Sequence, residues 1–512
     1  MSRKIGFTNF RRFIDFEPIE YDRVTFLVGR NNSGKSTVVK ALMLVVNYLK
    51  SGRIDQISFS DKVLESVNIV TYERAKNRLA KENLIRFIHA LGPFEVALTV
   101  TGEDGKTSGR VQRLSIQDKV RNLLIEVAPE QRTISITAEG AQEQGATRKS
   151  SALEELERRI QSLRMDLKGS GLPKTSAGYI KLNQELRTLV KRRPELKKAI
   201  KAEMPAGSGY TVSSFYPTGL DLSQALQGFL DEIRRMSLER YKKLAENKAK
   251  KKKDLEAGFA NYKAAQANRR KLEESVQAFF EEVDRVGLYY LGASSIKQPA
   301  LYAIRDRNNA LAQAIDDYQQ LGVLPGEEAH RFILQWLSDD EGFEVGDDFE
   351  VVMRSGEAYE VNVFSHGTKI PLSDKGMGSI QAMLLLFRLA CIIHKTKVNP
   401  AYRPIVIIEE PELNLHPKLQ SRLADLFLGV HRKHGVEFII ETHSEYAIRK
   451  TQALVKVNEF EVPPNENPFT IVYFDKDGLS TWKMKYRPDG RFENEFGEGF
   501  YDISGNLTLD LI

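Results

Sequence analysis

The sequence holds one cysteine, Cys391, two tryptophans and eight histidines in 512 residues. A single thiol excludes an intrachain disulfide framework, and the histidines are too scattered along the chain to supply the close ligand spacing of a zinc cage. Long hydrophobic runs are also missing. The longest apolar stretch, 382–393, is broken by Arg388 and is too short to span a bilayer, and the opening Met-Ser-Arg-Lys leads into mixed sequence without the apolar core of a signal peptide. The expectation is a cytoplasmic protein that does not engage a membrane. Low-complexity text is absent too: with 41% hydrophobic and 28% charged residues, 35 Gly and 18 Pro, collagen-like and wholly disordered classes are excluded. The length accommodates about three domains, or two with a large insertion.

Charge is unevenly spread. The net charge is +6, yet 150–285 carries 28 basic and 19 acidic residues, so the middle of the chain is +9 and the rest is −3. Within it, Glu239–Lys253 has eight basic residues (Arg240, Lys242, Lys243, Lys248, Lys250, Lys251, Lys252, Lys253) against two acidic ones. Such a run is either a solvated helix face or a contact for a polyanion.

Hydrophobic period changes at the same place. Up to about Val127 short β-branched or alternating runs, such as Val24–Val28 and Phe94–Val100, are broken by helical stretches, as in an α/β domain. Then Leu153, Leu156, Ile160, Leu163 and Leu167, and after them Leu182, Leu186, Leu189, Arg193, Leu196 and Ile200, recur at steps of three and four with charged flanks. The breaker cluster from Lys168 to Ser176 separates the two runs, so the pattern predicts a helical hairpin, either a projecting antiparallel arm or part of a packed bundle. Further helix is predicted over 222–283, with seam-like steps at Leu272, Val276, Phe279 and Val283. Strand-like text resumes after Gly287. The chain therefore divides into 1–149, a basic helical or coiled-coil insertion over 150–285, 286–480, and a tail over 481–512.

Gly29-Arg30-Asn31-Asn32-Ser33-Gly34-Lys35-Ser36-Thr37 satisfies the G-x-x-x-x-G-K-[ST] phosphate loop, directly after an apolar strand and before a helical run. The glycines let backbone N–H groups wrap phosphate oxygens at a helix N-terminus, Lys35 neutralises β/γ charge, and Ser36 offers a hydroxyl to Mg²⁺. A second constellation, Ile405-Val-Ile-Ile-Glu409-Glu410-Pro411-Glu412, ends an apolar strand in carboxylates, where α/β sheets present their ligands. Glu409 is the candidate metal carboxylate and Glu410 the candidate base for the attacking water. A third strand, Phe438-Ile-Ile-Glu441-Thr442-His443-Ser444, carries His443 as a candidate partner of the γ-phosphate or the water. Between them lies Pro371-Leu372-Ser373-Asp374-Lys375-Gly376-Met377-Gly378-Ser379, a small-residue loop leading into an apolar helix over 380–393.

Taken in this order, with the phosphate loop and the carboxylate strand separated by a basic insertion, these elements resemble the ABC-type ATPase heads of the SMC/Rad50/RecF class. The overcoming-lysogenisation-defect branch used in bacterial antiphage systems is the nearest likeness, through the paired Asn31 and Asn32, Glu409 in place of Asp, Glu410-Pro-Glu-Leu-Asn-Leu-His416-Pro417, Thr442-His443-Ser444, and the opening Ile5–Phe13 text. The resemblance implies ATP and Mg²⁺ as cofactors and a homodimer or larger oligomer in which two heads sandwich the nucleotide. It also implies that Ser373, Gly376 and Gly378 complete a neighbour's phosphate site, although Asp374 and Lys375 stand where that signature has glycines.

Many members of the branch carry a C-terminal Toprim nuclease, whereas only 69 residues follow His443 here. Asp475 and Asp477 form a D-x-D-G text that turn chemistry explains without a metal. The arrangement resembles the ATPase subunit of Septu-type systems, including those attached to retrons, whose partner is a separate HNH nuclease. This implies a regulatory ATPase controlling a nuclease effector, with nucleic acid, retron RNA or DNA included, contacted through the basic insertion. The other readings are a RecF- or Rad50-like DNA repair ATPase and a non-hydrolysing nucleotide-sensing scaffold.

Overall fold

In a computed structural model of the chain, the residues described are 3–138, 186, 209–246, 252–293, 299–304, 306, 308–338, 340–457, 467–475, 480–497 and 500–501. The chain forms two compact units, Met1–Arg113 with Ala278–Ile512, and Leu114–Gln277.

The first unit is α/β. At its centre lies a six-stranded sheet in the order Val286–Leu291, Arg403–Glu409, Glu437–Thr442, Val24–Gly29, Phe469–Phe474, Thr481–Met484. The first five strands are parallel and the last is antiparallel. Val24–Gly29 and Phe469–Phe474 are buried along their whole length. That is why they read as near-continuous hydrophobic runs, each holding one buried β-branched threonine (Thr25, Thr470), and not as alternation: a parallel strand covered on both faces has no solvent side to mark with polar residues. Register pairs Glu409 with Glu441 and Thr442 with Val28. The C-terminal ends of three strands thus come level at one edge, the place where open α/β sheets bind ligands.

Helices cover this sheet. Lys35–Ser51 starts at Gly34 and stops at Gly52, whose φ of 67° supplies the left-handed C-cap. Pro417–His434 has proline at its first position, where the missing N–H has no intrahelical partner to lose. Met377–Val398 is longer than the apolar text predicts. By length and composition it is able to cross a membrane, yet 67% of its apolar window is buried inside the protein, with Leu386, Phe387, Leu389 and Ala390 fully covered. Arg388, which breaks the run, forms an ion pair with Asp317 of the helix Ala310–Gln320.

An antiparallel sheet in the same unit runs Phe94–Gly102, Ile85–Leu91, Arg3–Phe10, Phe13–Tyr21. Phe7 stacks on Phe16 at 4.6 Å and meets Phe10 and Phe13 edge-on. These rings clamp the tight hairpin that carries Arg11 and Arg12. A further sheet of Tyr302–Ala303, Ala358–Ser365, Asp348–Arg354 and Thr368–Pro371 leads through the short turn Leu372–Asp374 into Met377–Val398.

The second unit begins inside the strand Ser108–Asp118 and continues through Leu123–Ala128, Thr133–Ala138 and Tyr210–Phe215, each antiparallel to the one before. Burial alternates along Leu123–Ala128 and Thr133–Ala138, as one-faced strands require. Tyr210–Phe215 falls inside the segment read as a helical insertion; its Tyr-Thr-Val-Ser-Ser-Phe text is short and alternating, and pairing with Thr133–Ala138 makes it a strand. Leu222–Arg235 follows, opened by an Asp221/Gln224 capping box that satisfies two otherwise orphan N–H groups. Leu238–Glu246, Lys252–Ala267 and the part of Arg269–Arg285 up to Gln277 complete the helical part, the rest of that last helix belonging to the first unit. Leu272, Val276, Phe279 and Val283 are buried. The seam from Leu153 to Ile200 lies outside the described residues except for Leu186, which is helical, and Lys248, Lys250 and Lys251 also lie outside them.

Candidate functional site

The phosphate-loop text folds as a tight turn that only glycine accommodates at its two ends. Gly29 has φ 147° and Gly34 has φ 109°; a Cβ at Gly29 would sit 2.3 Å from the Phe474 carbonyl oxygen, and one at Gly34 would sit 2.5 Å from the Phe13 ring. Arg30, Asn31 and Asn32 are exposed, while Ser33 is buried and its Oγ has no hydrogen-bond partner among the described residues. Gly34 offers no side-chain cap and the first turn of Lys35–Ser51 has no acidic residue. The helix itself thus supplies no side chain to cap its N-terminal amides or to offset the positive end of its dipole, an arrangement suited to an anion. Thr37 is buried one position further along.

Lys35 is 2% exposed and donates from Nζ to the carbonyls of Gly29, at 3.0 Å, and Arg30, at 2.9 Å. Burial lowers its pKa, opposed by Glu441, Glu410 and Glu412. Ser36 Oγ donates to Glu441 Oε1 at 3.1 Å, and the same oxygen lies 3.8 Å from Lys35 Nζ. Glu441 is 8% exposed, and its Oε2 has no hydrogen-bond partner among the described residues. Burial pushes its carboxyl up to about 7, with Lys35 holding it down and Glu409 adding to the rise.

Glu409 ends its strand half-buried, hydrogen-bonded to Tyr290. Glu410 follows in the left-handed region, φ 49°, with its N–H bonded to the Glu441 carbonyl at 2.8 Å. A non-glycine residue held there is a strained position of the kind that clusters at functional sites. Its Oε1 lies 3.9 Å from His443 Nε2. Burial, and after it Lys35, lowers the His443 pKa to about 4, so the imidazole is uncharged at neutral pH. Glu412 accepts from the His443 N–H at 2.7 Å and is itself buried, which raises its pKa.

A cleft of about 610 Å³ opens over the loop, a volume typical of nucleotide-sized ligands. Asn32, Ser33, Gly34, Lys35, Ser36 and Thr37 line it, and so do Arg11, Arg12, Lys40, Arg74, Lys76 and Arg78. With only Glu73 and Glu441 as carboxylates, seven cationic side chains surround the space. The orphaned Ser33 hydroxyl, the glycine cradle and this charge fit a polyphosphate. A serine hydroxyl beside a buried carboxylate with a spare oxygen fits a divalent cation bound together with it. Among the described residues no group of three or more His, Cys, Asp and Glu is arranged to hold a metal alone.

Of the residues singled out in the sequence, the structure brings together Gly29, Arg30, Gly34, Lys35 and Ser36 through Lys35, and Glu410 with His443. Arg30 and Asn31 do not line the cleft, and neither do Glu409, Glu410 and His443. Ser373, Gly376 and Gly378 are not on the cleft either. Gly376 caps Met377–Val398, and Gly378 presses on the Asn414 carbonyl, where a Cβ would approach to 2.7 Å. Asp475 donates its N–H to the Ser480 carbonyl, and Asp477 lies outside the described residues. Sequence reading missed Glu441 as a partner of Ser36, Glu412 as the anchor of His443, and the basic cleft wall of Arg11, Lys40, Arg74, Lys76 and Arg78. The acidic residue ending an apolar strand was the available signal for Glu441; the wall is dispersed and left none.

Residues 1–448 match the AAA ATPase domain family model, and the chain belongs to that family. No curated protein matches it. Among solved structures, the SMC head domain from Thermotoga maritima aligns at 11% identity over 95% of this chain and 99% of its own, with a TM-score of 0.32. The Pyrococcus furiosus Smc head domain with an extended coiled coil, bound to the C-terminal domain of ScpA, aligns at 12% identity over 94% and 96%, with a TM-score of 0.31. Scores of this size do not carry the assignment, which rests on the family match.

Proposed function

We propose that the chain is an ABC-type ATPase head of the SMC/Rad50 kind that binds ATP with Mg²⁺ and hydrolyses it. The observation that supports this most is the convergence of Lys35, Ser36, Glu441, Glu410 and His443 at one sheet edge beside a basic cleft. Backbone amides at Gly34–Thr37 and the Lys35 ammonium bind the β- and γ-phosphates, and Ser36 with Glu441 and Glu409 holds the cation. Mg²⁺, when bound, withdraws charge from the phosphate oxygens. Glu410 takes the proton of the attacking water; His443, uncharged and fixed through its backbone N–H to Glu412, orients that water or the γ-phosphate by a hydrogen bond.

Ser373, Gly376 and Gly378, at a helix N-terminus away from this chain's own cleft, complete the phosphate site of a second copy, so the active form is a nucleotide-sandwiched dimer or a larger assembly built from it. In the cell we infer a cytoplasmic regulatory ATPase of antiphage defence that governs a separate HNH-type nuclease, with nucleic acid held by the basic insertion. A RecF- or Rad50-like repair role uses the same chemistry and differs in partner. Light scattering tests the dimer: Glu410→Gln with ATP and Mg²⁺ should double its mass, and Lys35→Ala should stay at the mass seen without nucleotide. A Glu410→Gln chain whose mass ignores ATP contradicts the proposal.

A further inference from the structure

We propose that Arg11, Lys40 and Arg74 form a second phosphate subsite in the cleft, for a phosphate group carried by a molecule other than the one seated on the loop. The inference goes beyond the nucleotide-site reading and does not depend on it. It starts from an excess of charge. Seven cationic side chains line the cleft against Glu73 and Glu441, and a ligand on the loop meets Lys35 and the helix amides first. A nucleotide that carries Mg²⁺ has already lost part of its own charge to the ion, so it neutralises only part of this wall.

The three cations are held near one another by the backbone and not by counter-ions. Arg11 lies in the turn between Arg3–Phe10 and Phe13–Tyr21 with φ 52°, a strained position for a residue that is not glycine. Its N–H donates to the Ala75 carbonyl at 2.6 Å, the Asn77 N–H donates to the Asn9 carbonyl at 2.9 Å, and Phe10 forms a β-bridge with Lys76. These bonds lace the Arg11 turn to the segment that carries Arg74. Lys40 comes from the helix Lys35–Ser51, one turn beyond Ser36 and on the same face. Arg11 and Lys40 are half-buried, and among the described residues their side chains have no hydrogen-bond or ion-pair partner; Arg74 is exposed and donates to Asn68 Oδ1 at 3.2 Å. Burial, and after it Arg74, lowers the Arg11 pKa; burial, Arg11 and Arg74 lower that of Lys40 against the pull of Glu409 and Glu441. Like charges crowded in a half-buried wall without a paired carboxylate cost the unliganded fold, and a bound phosphate removes that cost. Two guanidinium forks and an ammonium supply the charge-assisted donors that phosphate oxygens accept. The group recognised is a phosphate, offered either by free inorganic polyphosphate or by the phosphates of a nucleic-acid strand.

Calorimetric titration of the full chain, saturated with ADP and with Mg²⁺ in excess over all phosphate, tests this with two probes, inorganic pyrophosphate and a short single-stranded oligothymidylate. The chains compared are the parent, Arg11→Gln, Lys40→Gln, Arg74→Gln and Lys35→Ala. The ADP-loaded parent should bind at least one probe, and the probe that binds names the source of the phosphate. Each glutamine variant should lose at least about tenfold in affinity for that probe, a larger loss than for ADP. Lys35→Ala, without nucleotide, should still bind it. Melting in phosphate-free buffer is a second readout: Arg11→Gln and Lys40→Gln should melt above the parent, because each relieves repulsion. Arg74→Gln changes an exposed side chain and keeps the test open should either of the others fail to fold. The inference is overturned if neither probe binds the ADP-loaded parent, if pyrophosphate binds only by displacing ADP, if probe binding vanishes in Lys35→Ala, or if the glutamine variants bind the probe as the parent does. It is also overturned if they melt below the parent and weaken ADP and probe alike, as a purely structural wall would give. A parent that binds no ADP, yet binds a probe through Arg11, Lys40 and Arg74, refutes the nucleotide-site reading and leaves the subsite standing.

Discussion

His89 shows how a single buried group makes the stability of the first unit depend on pH. It is fully buried, shares a 2.7 Å hydrogen bond between Nε2 and the Tyr21 hydroxyl, and its Nδ1 has no partner among the described residues. Burial, with Arg3 adding to it, lowers its pKa from 6.5 to about 3. Between those values the unfolded chain binds a proton that the folded chain refuses, so stability falls as pH drops, by up to about 1.4 kcal/mol per pH unit. Above the unfolded value the effect vanishes. His89→Gln keeps a hydrogen-bond partner for Tyr21 and removes the titration. The melting temperature of the variant should therefore decline less between pH 6 and pH 4 than that of the parent, by an amount matching roughly 2–3 kcal/mol. Equal declines would mean that His89 takes up its proton in the folded state.

The same scale explains which site residues were legible in the sequence. The Gly29–Thr37 loop is local: its glycines, its lysine and its serine act within nine consecutive positions, so the spacing alone carries the chemistry. Glu441 sits in the very strand text that pointed to His443, yet its role depends on a neighbour 405 positions away. Only the parallel pairing of Glu437–Thr442 with Val24–Gly29 turns its carboxylate toward Ser36. Strand text predicts an end of the sheet; it does not predict which side chain of that end meets which loop.

At the scale of elements, the loop before Met377–Val398 contains two glycines with different duties. Gly376 has open space where a Cβ would go, whereas a Cβ at Gly378 would press on the Asn414 carbonyl in the loop that follows Glu410. Gly376→Ala should thus change stability by under about 1 kcal/mol, the size of a cap substitution. Gly378→Ala must part the helix start from the Glu410–His416 loop and should cost about 1–3 kcal/mol, as overpacking does. Chemical denaturation measures both. A Gly378→Ala chain as stable as the parent would show that this close approach does not bind the two segments together. The elements themselves were readable where period and burial agree, as in Met377–Val398 and the uninterrupted core strands. Tyr210–Phe215 was missed because a six-residue alternating run between longer helical patterns gains its identity from its partner, Thr133–Ala138.

On the scale of the whole chain, the pairing of Ala138 with Tyr210 has a direct consequence. These two residues face each other across an antiparallel ladder, so the intervening 139–209 segment, which contains the Leu153–Ile200 heptads, is topologically replaceable by a two-residue Asn-Gly hairpin turn. Such a chain should fold, with melting temperature within a few degrees of the parent, and should bind ADP with parent affinity. Failure to fold would assign 139–209 to the core of the second unit. The basic run belongs to this scale as well: Lys250, Lys251, Lys252 and Lys253 changed to Glu should lower the slope of log affinity against log salt for duplex DNA by up to about three to four units if all four contact phosphates. A slope equal to the parent's would leave the run as a solvated face.

The proposal that the sheet edge formed by the phosphate loop, Glu410 and His443 hydrolyses ATP is tested most directly by steady-state phosphate release from the full chain with Mg²⁺, run beside Lys35→Ala and Glu410→Gln, with nucleotide binding measured on the same samples. The parent should release phosphate, Lys35→Ala should neither bind nor turn over, and Glu410→Gln should bind as the parent does while losing about 10²- to 10⁴-fold in turnover. Phosphate release by Glu410→Gln at the parent's rate would contradict the account.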